Sequence, residues 1–161
     1  LPPLYMDMTV KEYLNFMYDL KKVTIPREKH IQEICSLVKI KDVYNRLIAN
    51  LSKGYKQRVG IARALMQHPK LILCDEPIAS LDPKSSKVIM DHLKAINQNQ
   101  KITCLVNLHQ VDVAMKYSER IIGVTAGRIV YDGPTANLTQ DVIHEIYQSS
   151  EHDLITDVQG A

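Results

Sequence analysis

No apolar run in the 161 residues approaches the roughly 20 residues that a membrane-spanning helix needs. The first residues, Leu1-Pro2-Pro3-Leu4, also lack the basic and apolar regions of a secretory signal peptide. A role at a membrane therefore requires a partner subunit. Net charge is small as well, because 20 Lys and Arg residues oppose 18 Asp and Glu residues and leave a formal charge of +2. This balance gives no general attraction for nucleic acid, and we expect no nucleic-acid partner.

Cysteine is scarce and shows no metal-ligand spacing. Cys35, Cys74 and Cys104 are far apart in the chain, and each lies among apolar residues. We therefore expect reduced thiols in the core of a cytosolic protein. Hydrophobic residues make up 45% of the sequence, which is enough to build the core of one domain of this length.

The first part of the chain is predicted to be helical. Thr9-Val10-Lys11-Glu12 has the spacing of a capping box, and the apolar residues after it recur at helical intervals over residues 9–21. A second apolar stripe predicts a helix over residues 26–38. Ser52 is a favourable cap for a third helix, which we expect to end before His68-Pro69.

Short apolar runs then alternate with helical patterns. Residues 71–74, 102–107 and 120–124 are predicted strands, the first two buried, and Asp82-Pro83 marks a helix start between them. Gly127 predicts the turn of a hairpin. Helices followed by such an alternation indicate an α/β protein, in which a helical subdomain precedes a layer of parallel strands. We divide the chain into a helical subdomain, a third helix, an α/β core portion, and a last helix with a mobile tail: 1–50, 51–68, 69–134 and 135–161.

Two adjacent carboxylates end the first predicted strand, in Leu71-Ile72-Leu73-Cys74-Asp75-Glu76-Pro77. Ionised carboxylates at the edge of a core cost free energy of desolvation unless a cation or hydrogen-bond donors meet them. The stretch therefore indicates a site, although a plain polar turn explains it equally well when it is considered alone.

The neighbouring motifs decide between these interpretations. Leu51-Ser52-Lys53-Gly54-Tyr55 begins the third helix, Ser80-Leu81-Asp82 follows the carboxylates, and His109 follows the next strand. In this order and at this spacing, the motifs resemble the signature, Walker B, D-loop and switch-histidine motifs of ABC ATPase nucleotide-binding domains. The resemblance covers about residues 4–133. It implies part of a P-loop NTPase-like parallel sheet with an inserted helical subdomain.

The resemblance also assigns roles and cofactors. Asp75 matches the carboxylate that holds magnesium, and Glu76 matches the one that orients and polarises the attacking water. His109 matches the histidine that hydrogen-bonds the γ-phosphate of ATP. Asp82 caps its helix and, in the family, also reaches across the dimer.

The third helix begins with a departure from the family signature. Ser52 leaves backbone donors pointing outward, and Gly54 removes a side chain that would keep a phosphate away. In the family this loop acts in trans on the nucleotide of a second nucleotide-binding subunit. Lys53 stands here for a glycine and could add a favourable charge near phosphate, whereas Tyr55 stands for a glutamine and replaces its amide with a ring.

The sequence contains no Gly-x-x-x-x-Gly-Lys-Ser/Thr, so the Walker A strand and loop of the family are absent from these residues. The start at Leu1 suggests a fragment that corresponds to about the later two-thirds of such a domain. We expect a gap in the parallel sheet between the strands at 102–107 and 120–124, weak ATP binding, and low stability of the chain alone.

The two parts of the sequence resemble different branches of the family. Residues 3–60 resemble exporter or multidrug-type ATPases, whereas residues 106–112 and 121–134 resemble phosphonate-importer ATPases. A hybrid chain or a divergent natural subunit explains this difference.

The leading functional hypothesis is a subunit, or part of one, that hydrolyses ATP to power transmembrane transport. It predicts a dimer with permease subunits at the inner face of the cell membrane, contacted through the helical subdomain. The alternatives are a soluble ABC ATPase that acts on nucleic acid or the ribosome, and a non-catalytic interaction module.

Residues outside these motifs receive structural interpretations. We expect Tyr5, Tyr13 and Tyr18 to form core or subunit contacts. The other histidines show no ligand spacing and are expected on the surface or in loops: His30, His68, His92, His144 and His152.

Overall fold

The computed structural model describes residues 4–147 of the chain, with helices preceding and then alternating with strands. Contacts divide the described residues into two compact units, one ending at His109 and the other beginning at Gln110. The helices are α1 (Val10–Leu20), α2 (Arg27–Leu37), α3 (Lys53–Leu65), α4 (Pro83–Gln100), α5 (Val111–Tyr117) and α6 (Gln140–Tyr147). The strands are β1 (Leu71–Asp75), β2 (Thr103–Asn107), β3 (Arg120–Thr125) and β4 (Arg128–Pro134). None of the helices between residues 4 and 147 combines the length and apolar character that a membrane crossing needs.

The capping box of α1 forms as predicted. The backbone N–H of Thr9 donates to Glu12 Oε2 over 2.8 Å, and the backbone N–H of Glu12 donates to Thr9 Oγ1 over 3.2 Å. Both hydrogen bonds satisfy donors that a helix start would otherwise leave without partners. One face of α1 is buried, and its members are Val10, Tyr13, Leu14, Met17 and Tyr18.

Two histidines expected at the surface or in loops are buried instead. His30 on α2 is 2% exposed, and its Nε2 lies 3.0 Å from the carbonyl oxygen of Met66, just after α3. His92 on α4 is 5% exposed, and its Nε2 has no hydrogen-bond partner among the described residues. An imidazole is large and partly apolar, so a helix face can bury it without any ligand spacing in the sequence.

Burial lowers the pKa of His92, and the charges of Arg58 and Lys39 lower it further. The unfolded chain therefore binds this proton more readily, and stability is lost as pH falls below about 6.5 toward the lower folded-state pKa. We predict that His92→Leu reduces the acid-dependent loss of unfolding free energy, by at most about 1.4 kcal/mol per pH unit. Chemical denaturation between pH 8 and 5 measures this slope. His68→Gln, at an exposed position, is the control, and an unchanged slope in His92→Leu would contradict the prediction.

A parallel pair of strands forms the sheet of the first unit. β1 pairs with β2 so that Leu73 lies opposite Leu105 and Asp75 opposite Asn107. On one face the sheet meets α4, where Cys104 Sγ lies 3.7 Å from the carbonyl oxygen of Leu93. On the other face Leu73 is 69% exposed and Leu105 is 52% exposed. The prediction of two fully buried strands is therefore wrong for one face of this sheet.

The second unit contains the predicted hairpin. β3 pairs antiparallel with β4, and the two-residue turn Ala126-Gly127 has positive φ at both positions, 48° and 74°. Such angles are typical of a type I′ turn, which matches the twist of the strands. The guanidinium of Arg120 donates two hydrogen bonds of 2.7 Å to the carboxylate of Asp132 on the neighbouring strand.

Within residues 4–147, β1 and β2 form one two-stranded sheet, and β3 and β4 form another. The gap expected between residues 102–107 and 120–124 stays a prediction. Helix α6 is the predicted last helix, and it packs on the hairpin. The predicted mobile tail, residues 149–161, lies outside the described residues, and the predicted division into four segments stays a prediction.

Candidate functional site

The carboxyl end of the β1–β2 sheet brings together several of the predicted site residues. Asp75 is the last residue of β1, and Asn107, directly opposite it, is the last residue of β2. The side-chain amide of Asn107 donates a hydrogen bond of 2.8 Å to Asp75 Oδ1. This contact fixes the orientation of the carboxylate. Asn107 is not among the residues predicted for the site, although a polar residue that ends the neighbouring parallel strand is a signal that could have identified it.

Glu76 leaves the sheet in an uncommon backbone conformation. Its φ is 45°, in the left-handed region that non-glycine residues seldom adopt, and its N–H donates to the carbonyl oxygen of Asn107 over 3.1 Å. The hydrogen bond holds the chain in this turn, and Ala79 N–H closes it by donating to the Glu76 carbonyl oxygen over 3.1 Å. Sparsely populated conformations of this kind concentrate at functional sites.

The turn places the Glu76 carboxylate against His109. Glu76 Oε1 and His109 Nε2 are in direct contact, with the Glu76 side chain 33% exposed and the His109 side chain 78% exposed. A carboxylate beside an imidazole can hold and pass a proton, and both groups remain open to a substrate. The structure therefore unites Asp75, Glu76 and His109 at one edge of the sheet, together with Asn107. We name these four residues the acidic edge.

The acidic edge can supply a metal ligand but no complete metal centre. Within residues 4–147 there is no group of three or more His, Cys, Asp or Glu side chains that could hold a metal ion. Asp75 is exposed, and its Oδ1 is held by Asn107. Magnesium commonly binds through one or two carboxylates together with water and substrate phosphates. An oriented, exposed carboxylate fits that requirement.

The thiol next to the acidic edge is not a nucleophile. Burial raises the pKa of Cys74 to about 11, and burial also raises the pKa of Cys35 to about 11. Both thiols are therefore protonated and unreactive at neutral pH. All three cysteines are free, as predicted.

The other predicted site residues lie at the starts of two helices. Ser52 caps α3, where its Oγ accepts a hydrogen bond of 3.3 Å from the backbone N–H of Tyr55. Asp82 caps α4, where its Oδ1 accepts a hydrogen bond of 2.9 Å from the backbone N–H of Ser85. Hydrogen bonding to Ser85 lowers the pKa of the Asp82 carboxyl. Asp82 is therefore a carboxylate at neutral pH.

Gly54 lies where these two helix starts approach each other. It is buried, and a Cβ at this position would lie 3.4 Å from Cβ and Oγ of Ser85. Lys53, beside it, is half-exposed, and so is Tyr55. The predicted residues thus fall into two groups, the acidic edge and the paired helix starts.

Comparisons with known proteins place the chain beside ATP-binding proteins of transporters. A family model described as ABC transporter matches residues 2–79. Phosphonates import ATP-binding protein PhnC 2 from Oceanobacillus iheyensis is 63% identical over 106 residues, which are 66% of this chain and 42% of that protein. Phosphonates import ATP-binding protein PhnC from Staphylococcus aureus (strain COL) is 51% identical over 124 residues, 76% of this chain and 48% of that protein. The chain spans less than half the length of these relatives.

Solved structures show the same fold. A dimeric ATP-binding cassette in a post-hydrolysis state, bound to ADP and Pi, superposes with a TM-score of 0.68 at 30% identity, over 82% of this chain and 59% of that one. An ATP-binding cassette of an ABC transporter in its ADP conformation superposes with a TM-score of 0.74 at 28% identity, over 90% of this chain and 64% of that one. The predicted α/β class is confirmed.

Proposed function

Since this chain belongs to the ABC transporter family of ATP-binding domains, we propose that it supplies the hydrolytic residues of an ATPase that drives transmembrane transport. The observation that carries the proposal is the contact between Glu76 and His109, next to an Asp75 carboxylate held by Asn107. Phosphoryl transfer depends mainly on positioning and on charge stabilisation, and this edge offers groups for both.

Each residue of the acidic edge has a distinct part in the proposed reaction. The Asp75 carboxylate would hold magnesium, which would supply positive charge to the phosphate oxygens of ATP. A Glu76 carboxylate oxygen accepts a hydrogen bond from the attacking water and orients it toward the phosphate. His109 Nε2 contacts the Glu76 carboxylate in the described chain, and in the proposed reaction its N–H donates to a phosphate oxygen instead.

The paired helix starts serve a second subunit in this proposal. The backbone N–H groups at the start of α3, near Ser52 and Gly54, suit the phosphates of a nucleotide held by an opposing nucleotide-binding subunit. Lys53 adds a positive charge there, and Asp82 reaches across the same dimer. The 30% identical cassette structure is described as dimeric, which supports this arrangement.

Permease subunits are the proposed membrane partners, and they place the ATPase at the inner face of the cell membrane. The helical part of the chain exposes large apolar side chains that could meet them, with Tyr5 51%, Phe16 38% and Leu47 41% exposed. The two curated relatives are named for phosphonate import. We therefore propose uptake of a phosphonate-type solute. This predicts that phosphonate raises ATP turnover by the transporter assembled from the nucleotide-binding and permease subunits.

The metal role of Asp75 is tested by magnesium dependence. We predict that Asp75→Asn in the assembled ATPase raises the magnesium concentration for half-maximal turnover by about ten-fold or more, because a neutral amide is a poorer ligand for a hard cation. Magnesium titrations of steady-state turnover measure the shift. Asp141→Asn, at an exposed position in the second unit, is the control. A magnesium requirement that stays unchanged in Asp75→Asn would remove this residue from the metal site.

The alternative of an ATPase that acts on nucleic acid or the ribosome makes a different prediction. It requires that RNA or DNA, rather than a transported solute, stimulate turnover. The near-neutral charge of +2 gives no support for a nucleic-acid surface. Parallel assays with phosphonate and with RNA separate the two functions.

A further inference from the structure

The Tyr55 side chain makes two contacts in addition to the hydrogen bond of its backbone at the start of α3. Its hydroxyl donates a hydrogen bond of 2.5 Å to Asp42 Oδ2, in the short helical turn Lys41–Val43 before α3. The guanidinium carbon of Arg58 lies 3.8 Å from the centre of the Tyr55 ring. A cation over an aromatic face at this distance is attracted by the electron density of the ring. The side chain is thus held at both its tip and its face.

The neighbouring residues extend this attachment. Arg58 Nη1 donates to the carbonyl oxygen of Lys39 over 2.9 Å, and Lys56 Nζ donates to the carbonyl oxygen of Ala49 over 3.1 Å. Three side chains from the first two turns of α3 therefore bind the connection between α2 and α3, residues 39–50. We name this set of contacts the α3 clamp.

Tyr55 is the member of the clamp whose backbone contacts the side chain of the capping residue Ser52. Its backbone N–H donates to Ser52 Oγ over 3.3 Å, and the following N–H, of Lys56, donates to the Ser52 carbonyl oxygen over 3.0 Å. Ser52 Oγ acts as the acceptor in the first bond, so its own O–H remains able to donate elsewhere. A tyrosine fixed at its ring therefore also fixes the direction in which the serine hydroxyl points.

We propose that Tyr55 is a positioning residue that fixes the orientation of Ser52 and Gly54 toward the nucleotide of the opposing subunit. The effect on turnover rests on the proposed function, whereas the clamp itself does not. Asp42 raises the pKa of Tyr55 by accepting its hydrogen bond, so the phenol stays protonated and the bond persists at physiological pH. The tyrosine thereby ties the start of α3 to the helical part of the chain.

The clamp is tested in the chain alone by hydrogen exchange. Tyr55→Phe removes the bond to Asp42 and keeps the ring, and we expect the amides of Tyr55 and Lys56 to exchange about ten-fold faster, the size expected for one lost hydrogen bond. Tyr18→Phe is the matched control, since the buried Tyr18 hydroxyl has no hydrogen-bond partner within residues 4–147. Unchanged exchange in Tyr55→Phe would overturn the proposal.

Asp42→Ala breaks the same bond from its other end, which keeps the test decisive if Tyr55→Phe does not fold. The two single variants and the double variant form a cycle. The proposal requires that the double variant exchange no faster than either single variant. Additive effects would show that the two residues act independently and would contradict it.

Turnover in the assembled ATPase tests the positioning role. We expect Tyr55→Phe to lower kcat by about ten-fold and to change KM for ATP less than two-fold, because the opposing subunit holds the ATP. If Tyr55 only stabilised the fold, Tyr55→Phe would lower thermal stability without lowering kcat at a nearly unchanged KM. A wild-type assembly without turnover would contradict the proposed function, and exchange in the chain alone would still decide the clamp. Wild-type turnover with unchanged kcat in Tyr55→Phe would contradict only the role of Tyr55.

Discussion

Replacement of Glu76 by Gln in the assembled ATPase is expected to lower ATP turnover by about 10²- to 10⁴-fold and to leave ATP binding nearly unchanged. The amide keeps the size of the side chain but cannot accept a proton from water. Glu76 sits at the turn after β1 with its carboxylate against His109, so the substitution alters the reacting group and little of the fold. Single-turnover hydrolysis measures the chemical step, and binding of labelled ATP measures retention of the nucleotide.

Glu145→Gln is the matched control, since it makes the same chemical change at an exposed position of α6. It should leave turnover within two-fold of the wild type. Loss of ATP binding in Glu76→Gln would indicate a structural role for the carboxylate, and turnover at the wild-type rate would remove Glu76 from the catalytic residues.

Titration of magnesium-ATP into the 161-residue chain is expected to give a Kd in the millimolar range or weaker. Turnover by the assembled ATPase should instead show a KM in the micromolar to millimolar range that is typical of enzymes. The sequence has no Gly-x-x-x-x-Gly-Lys-Ser/Thr, so these residues offer no loop that surrounds the phosphates. The acidic edge contributes mainly Asp75 to the metal, and Ser52 and Gly54 serve the opposing subunit in the proposed arrangement. Isothermal titration calorimetry measures the affinity.

This titration needs a folded, monomeric sample. The exposed face of the β1–β2 sheet is a reason to check for both. Leu73 and Leu105 expose apolar surface that favours self-association. Circular dichroism and light scattering on the same sample establish helix content and monomer state. Micromolar affinity in a folded monomer would contradict the prediction and would require a phosphate site elsewhere in the chain.

Local sequence signals predicted most of the elements. The capping box at Thr9, the caps at Ser52 and Asp82, and the turn at Gly127 are all formed by residues close together in the chain. Such signals depend on short-range hydrogen bonds and on allowed backbone angles, and both follow from the types of neighbouring residues. The alternation of helical patterns with apolar runs predicted the α/β class, and the order of the motifs predicted the family.

Features that depend on packing between distant segments could not be predicted in the same way. The apolar run that forms β1 does not predict which face of the strand is buried, and one face of the sheet is exposed. Burial of His30 and His92 depends on the helices packed against them. The hydrogen bond from Asn107 to Asp75 joins residues 32 positions apart, and the one from Tyr55 to Asp42 joins residues 13 positions apart. In each bond one partner, Asn107 or Asp42, lies outside the predicted motifs.

An ATPase assay of the chain, with and without a polypeptide that carries Gly-x-x-x-x-Gly-Lys-Ser/Thr, tests the claim that the chain contributes the catalytic acidic edge while another polypeptide holds the phosphates. We predict no turnover by either component alone, turnover in the mixture, and its loss when the chain carries Glu76→Gln. Turnover by the chain alone, or turnover in the mixture that survives Glu76→Gln, would contradict the claim.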